Sequence, residues 1–145
     1  MNICNTIRRE FQKAQSRNWD RIYVFVDLHE TILVPNWNKN ELVHEYYPGA
    51  KEFLQKLSVR ADIVLVMWTC SHHNEICQYL RNFEADGIHF DYINENPEVK
   101  TDYSGENNYG CYDRKPYYNI LLDDKSGFFP EMIPEIGQAF AKYHL

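Results

Sequence analysis

The chain has 145 residues, of which 44% are hydrophobic and 25% are charged, and its formal net charge is −6 at pH 7. This is the composition of an ordinary globular protein, and a chain of this length can bury one core without disulfides. The acidic balance argues against broad electrostatic binding of nucleic acid. The apolar runs are far shorter than the roughly 20 residues of a membrane span, and the polar start lacks a signal-peptide core. We therefore expect a cytoplasmic protein without a membrane partner.

The first half of the chain alternates helical and strand patterns. Apolar residues at helical spacing predict an amphipathic helix within residues 1–20. Residues 22–26 are β-branched or aromatic without alternation, which is typical of a strand covered on both faces of a parallel sheet, and Asp27 follows them. Pro48 and Gly49 open a second helical segment, and the apolar run at residues 63–68 predicts a second strand.

The second half continues the alternation. Ser71 can cap a third helix, and a short strand is predicted near residues 90–93. Residues 95–114 show no periodicity and predict a long loop near the site. A fourth buried strand at residues 119–122 precedes a final helix. We therefore expect one α/β domain over residues 1–145, with a three-layer, Rossmann-like parallel sheet and right-handed crossovers.

The four cysteines are predicted to be reduced thiols. Cys4, Cys70, Cys77 and Cys111 form no C-x-x-C pair, and no histidine lies at zinc-finger spacing. Neither a zinc site nor a disulfide framework is indicated.

Polar residues follow three of the four predicted strands. Asp27 ends the first, Thr69 follows the second, and Asp123 with Asp124 follows the fourth, while Lys115 stands shortly before that strand. Ligands of open α/β sheets bind beyond the carboxyl ends of the strands, so we expect these side chains to converge. Carboxylates suit Mg²⁺, and an aspartate can attack phosphorus. A lysine could hold a phosphate, and Thr69 could donate its hydroxyl and backbone N–H to one.

At these residues the chain resembles the haloacid dehalogenase superfamily of phosphotransferases. The motifs of that family are D-x-D-x-T after one strand, Thr or Ser after the next, a Lys, and D-D after a later strand, and the match covers about residues 22–129. The resemblance implies these roles: Asp27 as nucleophile and Mg²⁺ ligand, Thr69 and Cys70 as phosphate binders, Lys115 as the partner of the phosphoaspartate, Asp124 as a metal ligand, and Asp123 as support for the metal shell.

His29 is the one departure from the pattern, because the family carries its second aspartate there. The resemblance implies a metal contact through the backbone carbonyl of this residue, which His29 can still supply. The missing group is the carboxylic acid that protonates the leaving oxygen, a role worth roughly 10²- to 10⁴-fold in rate. An imidazole titrates near neutral pH, so His29 could be the acid.

The resemblance leaves the reaction open between several hypotheses. The first is a Mg²⁺-dependent phosphatase or phosphotransferase, a phosphomonoester hydrolase acting through a phosphoaspartate at Asp27. The alternative is a catalytically impaired binding or regulatory module for a phosphorylated ligand. A dehalogenase-like hydrolase is a third, but the paired Asp123 and Asp124 fit phosphate better. Between Thr31 and Asp62 there is room for a short hairpin or lid and one helix but for no globular cap, so we expect a minimal cap and an open site. The sequence does not indicate the class of phosphorylated substrate or the oligomeric state.

Overall fold

A computed structural model describes residues 2–36, 41–100, 112 and 114–145. Four helices and four strands are arranged in chain order: α1 (Ile3–Ser16), β1 (Ile22–Asp27), α2 (Ala50–Ser58), β2 (Ile63–Trp68), α3 (His73–Ala85), β3 (Tyr92–Ile93), β4 (Ile120–Leu122) and α4 (Ile133–Lys142). Two short 3-10 helices, Asp124–Ser126 and Pro130–Met132, lie between β4 and α4.

The four strands form one parallel sheet in the order β3-β2-β1-β4. Strand β1 is central, with Asp27 paired to Trp68 of β2 and Val24 paired to Ile120 of β4. Because all strands run the same way, their carboxyl ends meet at one edge. The predicted α/β fold with a Rossmann-like parallel sheet is confirmed.

The two faces of the sheet are covered differently. Alternate residues of β1, such as Val24 and Val26, belong to the main core together with Phe11 of α1, Phe53 of α2 and Phe140 of α4. The other face carries a smaller cluster made of strand residues only: Phe25, Val64 and Val66, with Tyr23, Trp68, Tyr92 and Leu121 partly buried against them. Among the described residues, no helix contributes a core residue to this face. The connection between β3 and β4 contains the predicted loop at 95–114, of which residues 101–111 and 113 lie outside the described residues.

Side-chain hydrogen bonds continue the pairing of the two shortest strands by one residue before each strand begins. Asn119 precedes β4, donating its N–H to Tyr23 O (3.0 Å) and accepting the Tyr23 N–H at its side-chain oxygen (2.8 Å). Asp91 precedes β3 and exchanges the same pair of hydrogen bonds with Leu65, each 2.8 Å long. The observed strands are therefore shorter than the predicted segments 90–93 and 119–122, because side-chain oxygens replace backbone carbonyls at their first positions.

A short antiparallel hairpin follows β1. Leu33 pairs with Tyr46, and the Val34 N–H donates to Glu45 O at 2.8 Å. Residues 37–40 lie outside the described part of the chain. The hairpin occupies the position where the sequence leaves room for one.

Two other expectations concern surface and thiol chemistry. Within the described ranges, no helix is both long enough and apolar enough to cross a bilayer. Cys4, Cys70 and Cys77 are free thiols, and Cys111 lies outside those ranges.

Candidate active site

Three carboxylates meet at the carboxyl edge of the sheet. Asp27 is the last residue of β1, Asp123 directly follows β4, and Asp124 begins the next 3-10 helix. One oxygen from each carboxylate lies within 4.8 Å of the others. Neighbouring parallel strands end side by side, so the strand-end pattern accounts for this convergence.

Thr31 joins the two strand ends that carry these carboxylates. Its side chain is fully buried, and its hydroxyl donates to Asp27 Oδ2 at 3.0 Å. The hydroxyl oxygen Oγ1 of Thr31 also accepts the Asp124 N–H at 3.1 Å. The turn that places Thr31 there is closed by Leu28 O, which accepts the N–H groups of Ile32 and Leu33. One hydroxyl therefore fixes the orientation of Asp27 and the start of the turn after β4.

The carboxylates differ in their affinity for protons. Burial, followed by the negative charge of Asp123, raises the pKa of Asp27 to about 7. The hydrogen bond from Lys125 lowers the pKa of Asp124, with burial opposing that shift. The site therefore concentrates negative charge that a bound cation would neutralise.

Lys125 places a positive charge beside the carboxylates, although its sequence pattern did not predict this role. Its Nζ lies 2.6 Å from Asp124 Oδ2 and 4.0 Å from Glu30 Oε2. Lys115, the lysine that the family resemblance indicates, is exposed and forms no ion pair within the described ranges. Its catalytic role stays a prediction. The signal that points to Lys125 is its place directly after Asp124, but many surface lysines share such a position.

Thr69 lies at the end of β2 with its backbone already bonded. Its N–H, which we expected to face a ligand, donates instead to Asn94 Oδ1 at 2.7 Å. Its hydroxyl lies 2.9 Å from Ser71 Oγ and accepts the Ser71 N–H at 3.2 Å. The next residue, Cys70, is exposed, and its N–H has no acceptor among the described residues. The Thr69 hydroxyl and the Cys70 N–H are the donors that remain for a phosphate.

His29 lies in the turn after β1 and contacts α3. Its Nε2 is 2.8 Å from the hydroxyl of the buried Tyr79, and the two rings pack edge to face with centroids 5.5 Å apart. The His29 carbonyl accepts no backbone hydrogen bond within the described residues, so it is free for another partner. The sequence marks Tyr79 only as part of the apolar stripe of α3, which is why its contact with His29 was not predicted.

The fold and the site together define an α/β protein with a Rossmann-like parallel sheet and an acidic cluster that could hold a metal ion. No protein-family model matches the chain, and no curated protein matches it. Among solved structures, it is similar to a conserved protein coded by a locus of Bacteroides thetaiotaomicron, with 24% sequence identity and a TM-score of 0.55. The match covers 80% of this chain and 92% of that one. This likeness supports the fold and names no activity.

Proposed function

We propose that the protein is a Mg²⁺-dependent phosphatase or phosphotransferase of haloacid dehalogenase type, with Asp27 as its nucleophile. The observation that carries the proposal is the cluster of Asp27, Asp123 and Asp124, whose ligand oxygens lie within 4.8 Å of one another at the carboxyl edge of the sheet. The order of these residues in the chain, with Thr69 after the neighbouring strand, supports the same activity.

The donor set fits a hard divalent cation. Mg²⁺ prefers carboxylate and carbonyl oxygens and keeps several water ligands. Asp27, Asp124 and the free carbonyl of His29 would hold it, with Asp123 supporting the shell. When bound, the ion neutralises charge on the transferring phosphoryl group.

In the first step, a carboxylate oxygen of Asp27 attacks the phosphorus atom of a phosphomonoester. The P–O bond to the leaving group breaks, and the leaving oxygen takes a proton from the imidazolium of His29. The Thr69 hydroxyl and the Cys70 N–H donate hydrogen bonds to phosphoryl oxygens, and Lys115 or Lys125 balances their charge. The product is phospho-Asp27 and a free alcohol.

In the second step, water attacks the phosphorus atom of phospho-Asp27. The neutral imidazole of His29 takes the proton from the water, and the bond between the Asp27 oxygen and phosphorus breaks. Inorganic phosphate leaves, Asp27 is again a carboxylate, and His29 is again protonated. If an alcohol replaces water, the same step transfers the phosphoryl group.

The experiment that tests this proposal is a screen of phosphorylated metabolites, nucleotides and phosphopeptides with and without Mg²⁺. We expect Mg²⁺-dependent release of phosphate, which Asp27→Asn abolishes while the fold is retained. Asp20→Asn is the matched control, because the Asp20 side chain is 82% exposed on the protein surface. A beryllium fluoride complex should bind beside the Asp27 carboxylate. Full activity in Asp27→Asn would rule out the mechanism.

One observation favours a second candidate, a binding or regulatory module for a phosphorylated ligand. The acid of the family pattern is missing, and the imidazole in its place is already paired with the Tyr79 hydroxyl. In that case phosphate and Mg²⁺ should bind together, yet the parent protein should turn over no substrate. Turnover by the parent protein excludes this candidate, whereas turnover by His29→Asp alone supports it.

A further inference from the structure

Asn94, directly after β3, holds both polar backbone groups of Thr69. Its Oδ1 accepts the Thr69 N–H at 2.7 Å, and its Nδ2 donates to the Thr69 carbonyl at 2.8 Å. Its own N–H donates to Met67 O at 2.8 Å. The side-chain amide therefore pairs with β2 as a peptide group of a longer β3 would.

The backbone of Asn94 is adapted to this contact. Its φ is 55°, in the left-handed region that asparagine tolerates better than most residues. Because β3 contains only Tyr92 and Ile93, no backbone group of a regular strand would reach Thr69 from this side. The left-handed turn brings the side-chain amide to that position instead.

The two hydrogen bonds from the Asn94 side chain to Thr69, here called the Asn94 clamp, restrict a residue of the candidate site. The bonds to the N–H and C=O of Thr69 hold its backbone and hence the direction of its Cα–Cβ bond, and the bonds to Ser71 restrict the rotation of the hydroxyl. Neither backbone group of Thr69 is then available to a ligand. A hydroxyl held in place binds an anion with a smaller entropic cost than one that rotates freely.

We propose that Asn94 is a positioning residue for phosphate: it acts through Thr69 and sets the direction of the hydroxyl that binds a phosphoryl oxygen. This role rests on the proposed function, because it requires phosphate to bind beside Thr69. Asn94 itself does not touch the substrate.

Asp91 supplies a control that separates positioning from plain strand stabilisation. It clamps the other end of β3 to the same neighbour, with two 2.8 Å hydrogen bonds to Leu65. That end points away from the carboxyl edge of the sheet. Loss of either clamp weakens the pairing of β3 with β2, whereas only the loss of Asn94 releases Thr69.

The experiment measures the binding of inorganic phosphate by calorimetry at saturating Mg²⁺. Asn94→Gly removes the side-chain amide and keeps a residue that accepts positive φ. We expect its Kd for phosphate to rise about tenfold or more, because the released Thr69 no longer aims its hydroxyl and its hydrogen bond to the charged phosphoryl oxygen is weakened. The Kd for Mg²⁺ alone should change by less than about twofold in this variant. In Asp91→Ala, the Kd for phosphate should also stay within about twofold of the parent value.

A second variant covers the case in which Asn94→Gly does not fold. Asn94→Asp keeps the acceptor for the Thr69 N–H but places an oxygen opposite the Thr69 carbonyl, so phosphate binding should weaken at least as much. Unchanged phosphate affinity in the folded variant, or an equal loss in Asp91→Ala, overturns the positioning role alone. Failure of the parent protein to bind phosphate with Mg²⁺ overturns the proposed function and this role together.

Discussion

At the scale of the residue, the ionised carboxylate of Asp27 is required for the proposed activity but lowers the stability of the fold. Burial and the charge of Asp123 raise its pKa to about 7 from an ordinary value of 3.8. Because the folded protein holds this proton more tightly than the unfolded chain, the contribution of Asp27 to stability is complete below about pH 4 and is lost as the pH rises through about 7. Without metal, Asp27→Asn should therefore exceed the parent in stability by about 1–3 kcal/mol at pH 8, and by much less at pH 4.

Urea denaturation at both pH values, with a chelator present, measures this difference. Asp20→Asn is the control for removing an exposed carboxylate. An identical pH dependence in Asp27→Asn and in the parent would show that Asp27 does not hold the proton.

His29 makes a prediction that depends on the leaving group of the substrate. If its imidazole is the acid, His29→Ala should slow the hydrolysis of alkyl phosphates by up to the roughly 10²- to 10⁴-fold that general acid catalysis contributes. Aryl phosphates should be affected far less, because their leaving groups need little protonation. His29→Asp should restore the alkyl activity and change its pH profile.

Steady-state kinetics on a matched pair of alkyl and aryl phosphates make the comparison. Equal activity of His29→Ala and the parent on both substrates would exclude the imidazole as the acid.

Residues differ in how far the sequence could predict them. The convergence of Asp27, Asp123 and Asp124 was predictable, because each follows a buried strand and parallel strands end at one edge. The contacts of Asn94 and Tyr79 were not, because they depend on how a turn and a helix pack against segments distant in sequence. In the local sequence, a polar side chain that makes such a distant contact cannot be distinguished from one that faces solvent.

At the scale of the element, Arg60 holds the end of α4. Its guanidinium donates to Phe140 O and Tyr143 O at 2.6 Å each and pairs with Asp62 at 2.7 Å, and both charged side chains are largely buried. Burial opposes ionisation of Asp62, but the hydrogen bonds from Arg60, the N–H of Leu145 and the positive charge of Arg60 together lower the pKa of Asp62. Arg60→Ala removes the guanidinium donors from Phe140 O, Tyr143 O and the buried Asp62 carboxylate, so we expect a loss of about 2–4 kcal/mol in unfolding free energy.

Arg21→Ala is the matched control, because Arg21 pairs with Asp20 and Glu98 on an exposed surface and its loss should cost less than about 1 kcal/mol. Chemical denaturation of both variants gives the comparison. Equal losses in the two variants would contradict a special role for the Arg60 clamp.

The boundaries of strands were less predictable than their existence. The apolar runs of β1 and β2 coincide with strands because every residue in them can pack on a covered sheet. The shorter β3 and β4 begin one or two residues later than expected, since Asp91 and Asn119 pair through side chains. In a sequence, Asn and Asp indicate a turn, but they do not show which strand's backbone N–H their side-chain oxygens will bind.

At the scale of the whole molecule, the strand order assembles the site. Strands β2 and β4 flank β1 although they are far apart in the chain, so the residues after all three share one edge. Alternating strands and helices predicted this parallel arrangement. They did not reveal that the described helices supply the core of one face, while strand residues alone form the cluster on the other.

Binding of a cation and phosphate at that edge should stabilise the entire fold. Ligands that bind only the native state stabilise it by about 2.7 kcal/mol at a hundredfold excess over Kd, which corresponds to a rise in Tm of about 5–15 °C for a domain of this size. Mg²⁺ with phosphate should therefore raise Tm more than either alone, because the cation neutralises the three carboxylates that would repel the anion. Asp124→Asn should reduce the shift. Thermal unfolding in KCl at matched ionic strength controls for general salt effects, and an equal rise in that salt would count against a specific site.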